Sequence, residues 1–390
     1  MNPIGRAALG IGAGLAGAGL TVAAGAAVDR LWRDREHAIA LGVDLDFTVE
    51  PDRTVVVLAD DGVPLHVEID EPQMAEEPRA TIVLCHGYTL DLRSWVYQRR
   101  ALVAAGYRVV AWDQRGHGSS GVADASSYHI EQLGHDLYRV ICEAVPEDSD
   151  IVLVGHSMGG MTIMALAEAR PAMFGDRIKA VGLVATSAGG LHRITWGLGS
   201  VLGGAVNRVG PTVLTRLASR QDFIDQVMRS GKELQEFLVA RSSFASPVPL
   251  GVVRLTAEMI FGTRMEVISG FVPGLNRHDK AEALAAMAEI EVLVLNGDKD
   301  ILTSPVHSEE IVERLPHSEH VLVDDAGHII TLEHPDVVSQ QIVALAARAL
   351  GPPHSTARHS GGRREVVDLE KRRRDAGARP PARLRRARTS

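Results

Sequence analysis

The chain has 390 residues, 45% hydrophobic and 23% charged, with a formal net charge of −8. That length fits one large domain with additions or two modest ones, and a core of that size needs no disulfide or metal staple. The composition excludes a wholly disordered, collagenous or polytopic membrane chain. Two cysteines, Cys85 and Cys142, are too few for a disulfide framework or a Cys-based zinc site, and both are expected to be small buried apolar residues.

In chain order, residues 1–36 form an N-terminal hydrophobic segment. From Ala7 to Val28 there are 22 residues without a charge, bounded by Arg6 and by Asp29-Arg30. The length suits a bilayer span, although nine alanines and six glycines contribute little hydrophobicity. Small residues spaced by four, such as Gly10 and Gly14, allow close helix packing in lipid. Ala24-Gly25-Ala26 resembles a signal-peptide cleavage site. Membrane anchor, cleaved signal and neither therefore stay open, with membrane association through Ala7 to Val28 as the working expectation. Arg30, Arg33 and Arg35 against the lone Arg6 favour a cytoplasmic catalytic domain.

A strand–helix alternation follows. β-branched runs at residues 54–58, 80–85, 108–112, 151–154, 180–184, 291–295 and 320–323 read as parallel strands buried on both faces. Helical patterns lie at 95–104, 130–145, 158–169, 305–314 and 335–349, which makes the chain an α/β sandwich. Runs at 45–49 and 65–69 read as antiparallel edge strands. From 191 to 275 the rhythm breaks into amphipathic helical pieces, the mark of an inserted helical cap between core segments 44–190 and 276–350. Leu198, Val201, Leu202, Val206, Val209, Val213, Leu214 and Leu217 recur near helical spacing in it, and Phe223, Phe237, Phe244, Phe261 and Phe271 follow. They serve either to pack the cap on the core or to line an acyl-chain tunnel.

The tail, 351–390, carries 12 Lys/Arg against 4 Asp/Glu, a net +8 that leaves −16 on the first 350 residues. It lacks Phe, Trp, Tyr and Ile and is expected to be disordered. The acidic body argues against nucleic-acid binding at the core.

The strongest local signal is Gly155-His156-Ser157-Met158-Gly159, between an apolar strand and a helical pattern. In that context G-x-S-x-G marks a nucleophile on a tight strand-to-helix turn, with glycines letting neighbouring backbone pass. A serine hydroxyl needs a general base, and His328 in Asp325-Ala326-Gly327-His328 follows the last strand. Asp300, in Asn296-Gly297-Asp298-Lys299-Asp300, is the candidate acid that orients the imidazole; Asp298 is its rival. All three follow strands at the carboxyl edge, where ligands bind in open α/β sheets. An oxyanion hole requires two backbone N–H groups, expected from Met158 and from Tyr88 in the loop after residue 85. His86 is expected to be structural.

These pieces, with Trp112-Asp113-Gln114-Arg115-Gly116-His117-Gly118-Ser119, resemble the α/β-hydrolase fold family over residues 50–350. The resemblance implies a mostly parallel sheet flanked by helices and a serine hydrolase cleaving a carboxylic ester; the apolar cap, the acidic body and the expected membrane association point to an apolar, acyl or lipid-like small-molecule ester as its substrate. It needs no cofactor or metal. Asp113 and Arg115 are implied to brace the site. Epoxide hydrolases and haloalkane dehalogenases of this fold carry aspartate at the elbow, where this chain has serine. Cofactor-free haloperoxidases and carbon–carbon bond hydrolases share the constellation, and some members of the fold only bind.

Overall fold

The computed structural model describes residues 45–72, 80–190 and 232–351. The described residues from Phe47 to Ser246 and from Leu255 to Gly351 group into one compact unit, and those at 45–46 and 247–254 into another. The sheet, its flanking helices and the candidate site belong to the first. Residues 1–44, the first part of the expected cap (191–231) and the tail beyond Gly351 lie outside the described residues, and so do the apolar positions 198–217, Phe223 and the stretch from Ala7 to Val28. Among the described residues no helix is long and apolar enough to cross a membrane.

Eight strands form one sheet: β1 (Arg53–Leu58), β2 (Pro64–Asp70), β3 (Thr81–Cys85), β4 (Arg108–Trp112), β5 (Ile151–His156), β6 (Ile178–Val184), β7 (Glu291–Gly297) and β8 (Glu319–Val323). Their order is β1-β2-β4-β3-β5-β6-β7-β8. β2 runs antiparallel to both β1 and β4, and every other pairing is parallel. The helices are α1 (Val96–Ala104), α2 (Ile130–Ala144), α3 (Met158–Ala169), α4 (Lys232–Ser243), α5 (Leu250–Gly262), α6 (Met265–Arg277), α7 (Pro305–Arg314), α8 (Ile330–Glu333) and α9 (Pro335–Leu350). α4, α5 and α6 fall between β6 and β7, and α6 runs two residues past the expected boundary at 275. α7 and α9 each begin on a proline, whose fixed φ and missing N–H suit the first helical position.

Side chains alternate across the sheet and build a core on each face. Val83, Leu153 and Leu183 pack with Leu137 and Ile163 on one side. Ile82, Leu84, Val154 and Leu295 pack with Leu102, Ile342 and Leu345 on the other. Central parallel strands therefore read as continuous apolar runs because both of their faces are covered.

Four expectations need correction. Residues 45–49 are not a strand: the Phe47 ring meets Tyr97 edge-on and Arg100 donates to the Thr48 carbonyl, so α1 holds this segment. β2 is antiparallel but lies inside the sheet, and β1 is the edge. Val56 and Leu58 are 62% and 54% exposed while Val57 is buried, so the valine run in β1 is half-solvated. Cys85 is buried, but Cys142 is exposed.

The loop after β4 is fixed by a buried ion pair. Arg115 Nε and Nη2 donate to the two oxygens of Asp136 on α2 at 2.6 and 2.7 Å, and Nη1 donates to Asp61 in the β1–β2 turn at 2.7 Å. Arg115 and Asp136 side chains are both fully buried. Removing one member of such a pair strands the other charge. Arg115→Met is therefore expected to lower stability by about 3–5 kcal/mol, seen as a lower urea midpoint; a wild-type midpoint would show that the pair does not secure this loop.

Candidate active site

Ser157 sits where β5 turns into α3, at φ 52° and ψ −117°. That left-handed backbone costs a non-glycine residue on the order of 1–3 kcal/mol. The surrounding glycines explain why the chain still turns here. A Cβ at Gly159 would lie 2.1 Å from the Cys85 carbonyl oxygen, and one at Gly155 would lie 2.4 Å from the Gly159 carbonyl. The Ser157 amide donates to Val184 O at 2.9 Å, joining the turn to β6.

Three strand ends bring the sequence-predicted side chains together. His328 follows β8, and its Nε2 is 3.0 Å from Ser157 Oγ. Asp300 follows β7, with Oδ2 2.8 Å from His328 Nδ1. An ionised carboxylate only accepts, so Nδ1 carries the proton and Nε2 is left to accept from the serine hydroxyl. Leu302 and Thr303 amides donate to Asp300 Oδ1 at 2.8 and 2.9 Å. Burial opposes ionisation of Asp300, but His328 and these donors outweigh it and hold the carboxyl below its usual value. Asp298 stands elsewhere: its Oδ1 accepts from the Ala326 amide at 3.3 Å. Of the two aspartates, only Asp300 meets the histidine.

The amides expected to form an oxyanion hole flank this elbow. Met158 N–H opens α3, directly after Ser157. Tyr88 lies in a turn closed by Leu90 N–H to Gly87 O at 3.1 Å, with Thr89 at φ 60°. A Cβ at Gly87 would come within 3.2 Å of Ser157 Cβ, so this loop rests on the Ser157 turn. Among the described residues, neither amide donates to a loop or cap carbonyl. The Tyr88 hydroxyl donates to Ile268 O of α6 at 2.6 Å. Among the described residues no group of three or more His, Cys, Asp or Glu side chains is arranged to hold a metal ion.

Residues 80–335, more than half of the chain, match the family model described as alpha/beta hydrolase fold. The chain belongs to the α/β-hydrolase family. It is 25% identical over 280 residues to the dihydrolipoyllysine-residue acetyltransferase component of the acetoin cleaving system of Pseudomonas putida, covering 70% of this chain and 65% of that protein. It is 24% identical over 304 residues to bifunctional epoxide hydrolase 2 of Rattus norvegicus, covering 71% of this chain and 53% of the relative. The chain thus spans less than two thirds of either relative's length. Among solved structures it is similar in fold to a thermophilic esterase from Thermogutta terrifontis (malate bound), with a TM-score of 0.59 and 24% identity over 76% of this chain and 99% of that one.

Several residues that shape this α/β-hydrolase site escaped the sequence reading. Thr303 Oγ1 lies 2.8 Å from both Asp300 Oδ2 and Ala185 O, and its single proton serves one of them at a time. The signal was available: an aspartate three residues ahead of a threonine is a common side-chain-to-backbone turn. His156, the variable residue of the elbow motif, donates from Nε2 to the His328 carbonyl at 2.9 Å. No local pattern announces that partner, 172 positions away. His86 is structural, as expected: it donates from Nδ1 to Gly87 O at 2.7 Å and accepts the Gln114 amide on Nε2 at 2.9 Å. Asp113 also braces loops, accepting from the Leu92 and Ser119 amides, both at 2.8 Å.

Four histidines are held neutral by burial, His86 and His278 with pKa lowered to about 4, His117 and His156 to about 3. A histidine in the unfolded chain protonates near 6.5. Between roughly pH 6.5 and 3 the unfolded chain therefore binds more protons at these sites, and stability falls as pH drops through that window. Burial pushes Asp113 up to about 6 and raises Asp136, and the hydrogen bond to Glu68 raises His66, all of which act in the opposite direction, but burial also lowers His320, so that three groups stand against five histidines. Denaturant midpoints at pH 7.5 and pH 5 should show the protein weaker at pH 5; equal midpoints would contradict the neutral, buried assignment.

Proposed function

We propose that the chain is a serine hydrolase that cleaves a carboxylic ester with an apolar acyl group, through an acyl-enzyme on Ser157. The observation that carries this reading is the continuous hydrogen-bond chain from Ser157 Oγ through His328 to Asp300, at 3.0 and 2.8 Å. The serine at the elbow, where epoxide hydrolases of this fold carry aspartate, favours an acyl-enzyme over attack on an epoxide. An apolar substrate is supported by the surroundings: Met158, Met161, Val267 and Phe271 cluster beside the elbow, with Tyr88 packed against them.

In this reading Ser157 Oγ attacks the ester carbonyl as His328 Nε2 takes its proton, and Asp300 stabilises the imidazolium. The carbonyl oxygen becomes an oxyanion that accepts from Tyr88 N–H and Met158 N–H. Collapse breaks the bond to the alcohol, which leaves with the proton from His328. Water, deprotonated by the same imidazole, then attacks the acyl-serine and releases the acid and the free hydroxyl.

A fluorophosphonate probe should label Ser157 in the intact protein, and a panel of acyl esters should be turned over. Ser157→Ala is expected to abolish labelling and to lower kcat by about 10⁶; activity near that of the wild type would refute the reading. Asp300→Asn should lower kcat by roughly 10³–10⁴ through loss of the productive tautomer, whereas Asp298→Asn should be close to neutral. The reverse order would move the acid to Asp298.

A further inference from the structure

The loop that carries His328 is held from outside the triad by one buried carboxylate. Glu333 ends α8, five residues after the histidine, and is 9% exposed. Its Oε2 accepts the Gly327 amide at 2.6 Å. Its Oε1 accepts the Ala245 amide at 2.9 Å, the Ser246 amide at 2.5 Å and the Ser246 hydroxyl at 2.7 Å. These donors are neutral, so hydrogen bonds rather than a cation compensate the buried charge. The carboxylate thus bridges the residue preceding His328 and the two residues at 245–246, just beyond α4.

Two further contacts fix the same loop. The Ile329 amide, on the other side of His328, donates to the Ser243 carbonyl at the end of α4, at 3.0 Å. The backbones meet tightly, since a Cβ at Gly327 would lie 2.8 Å from both Ala245 N and Ser243 O. His156 donates to the His328 carbonyl at 2.9 Å. The histidine is therefore bracketed by amides at 327 and 329, and both are tied to the segment 243–246.

We propose that Glu333 is a positioning residue that couples the end of α4 to the His328 imidazole, so that the placement of this part of the inserted segment sets the Ser157–His328 geometry. The proposal rests on the triad reading above. The coupling follows from stiffness: a hydrogen-bond contact of 3.0 Å between Ser157 and His328 tolerates little drift, and a misplacement of about 1 Å can cost roughly 10²-fold in rate. Glutamine at 333 keeps one acceptor oxygen and turns an NH₂ toward the other set of donors. Either Gly327 or the 245–246 pair then loses its partner.

The experiment measures fluorophosphonate labelling of the full chain at Ser157, following both rate and final stoichiometry, beside kcat and KM for a short-chain ester. Glu333→Gln should label to wild-type stoichiometry but about 10- to 100-fold more slowly, with kcat per labelled chain reduced to match and KM changed by less than about threefold. A wild-type labelling rate overturns the proposal. So does a loss explained wholly by a smaller labelled fraction with normal kcat per labelled chain, because that is the signature of a purely structural role. Should the glutamine variant fail to fold, Ser246→Ala decides, since it removes one donor and keeps the carboxylate. It is expected to slow labelling by roughly threefold at full stoichiometry, and an unchanged rate overturns the coupling. A wild-type chain that is not labelled at Ser157 refutes the triad reading itself, whereas labelled wild type with an indifferent Glu333→Gln variant refutes the coupling alone.

Discussion

Where β5 gives way to α3, the backbone passes so close to the end of β3 that no side chain fits between them. Gly159 faces the Cys85 carbonyl, Gly155 faces the Gly159 carbonyl, and Gly87 faces His156 and Ser157. This steric closure carries Ser157 into its left-handed conformation and lifts the hydroxyl beyond the sheet edge. It also brings the turn at Tyr88 onto the elbow and seals His156 beneath it, where the imidazole reaches the His328 carbonyl. The strain at Ser157 is sustained because the amide of the same residue is tied to β6 and its carbonyl accepts the Thr186 hydroxyl. A wider turn would loosen the Tyr88 and Met158 amides, Ser157 and His328 together.

The second constraint is charge in a buried place. Three carboxylates sit at the loops around the elbow: Asp113 after β4, Asp300 after β7 and Glu333 after β8. Each is surrounded mainly by backbone N–H donors. A carboxylate stripped of water must find such donors, and loops offer amides that no strand or helix has used. The same bonds that make burial of these acids tolerable therefore define the shape of the loops. Asp300 differs from the other two in that one of its oxygens faces an imidazole.

The arrangement of the sheet decides which loops meet. β3 lies between β4 and β5, so the chain moves to one side after β3 and returns to the other for β5. That reversal opens a crevice beyond the carboxyl ends of the strands. The elbow and the Tyr88 turn share this crevice, and β7 and β8 deliver Asp300 and His328 to the same edge. α6 contributes from the inserted segment, where Phe271 packs against Tyr128 and the Tyr88 hydroxyl holds the Ile268 carbonyl.

Local physics was enough for much of this protein. The buried parallel strands declare themselves through continuous β-branched runs, because both faces are apolar. α3 and α7 begin and end where turn chemistry and proline place them. Gly155, Ser157 and Gly159 are legible because a turn this tight admits few residues. Chain order and strand context single out His328 and Asp300, and geometry separates Asp300 from Asp298. Whatever depends on neighbours distant in the chain stayed hidden. The valines of β1 do not reveal that one face meets solvent, and residues 45–49 have strand-like composition but are held by α1. Cys142 and Cys85 look alike until their helix and strand are placed. His156, Thr303 and Glu333 have partners reached only when loops from different strands converge. Sequence determined which segments could be strands, helices and a strained turn, since those follow from sterics and apolar spacing over a few residues. Tertiary structure alone decided which buried polar atoms would face one another, since a hydrogen bond across the fold leaves no trace in local spacing.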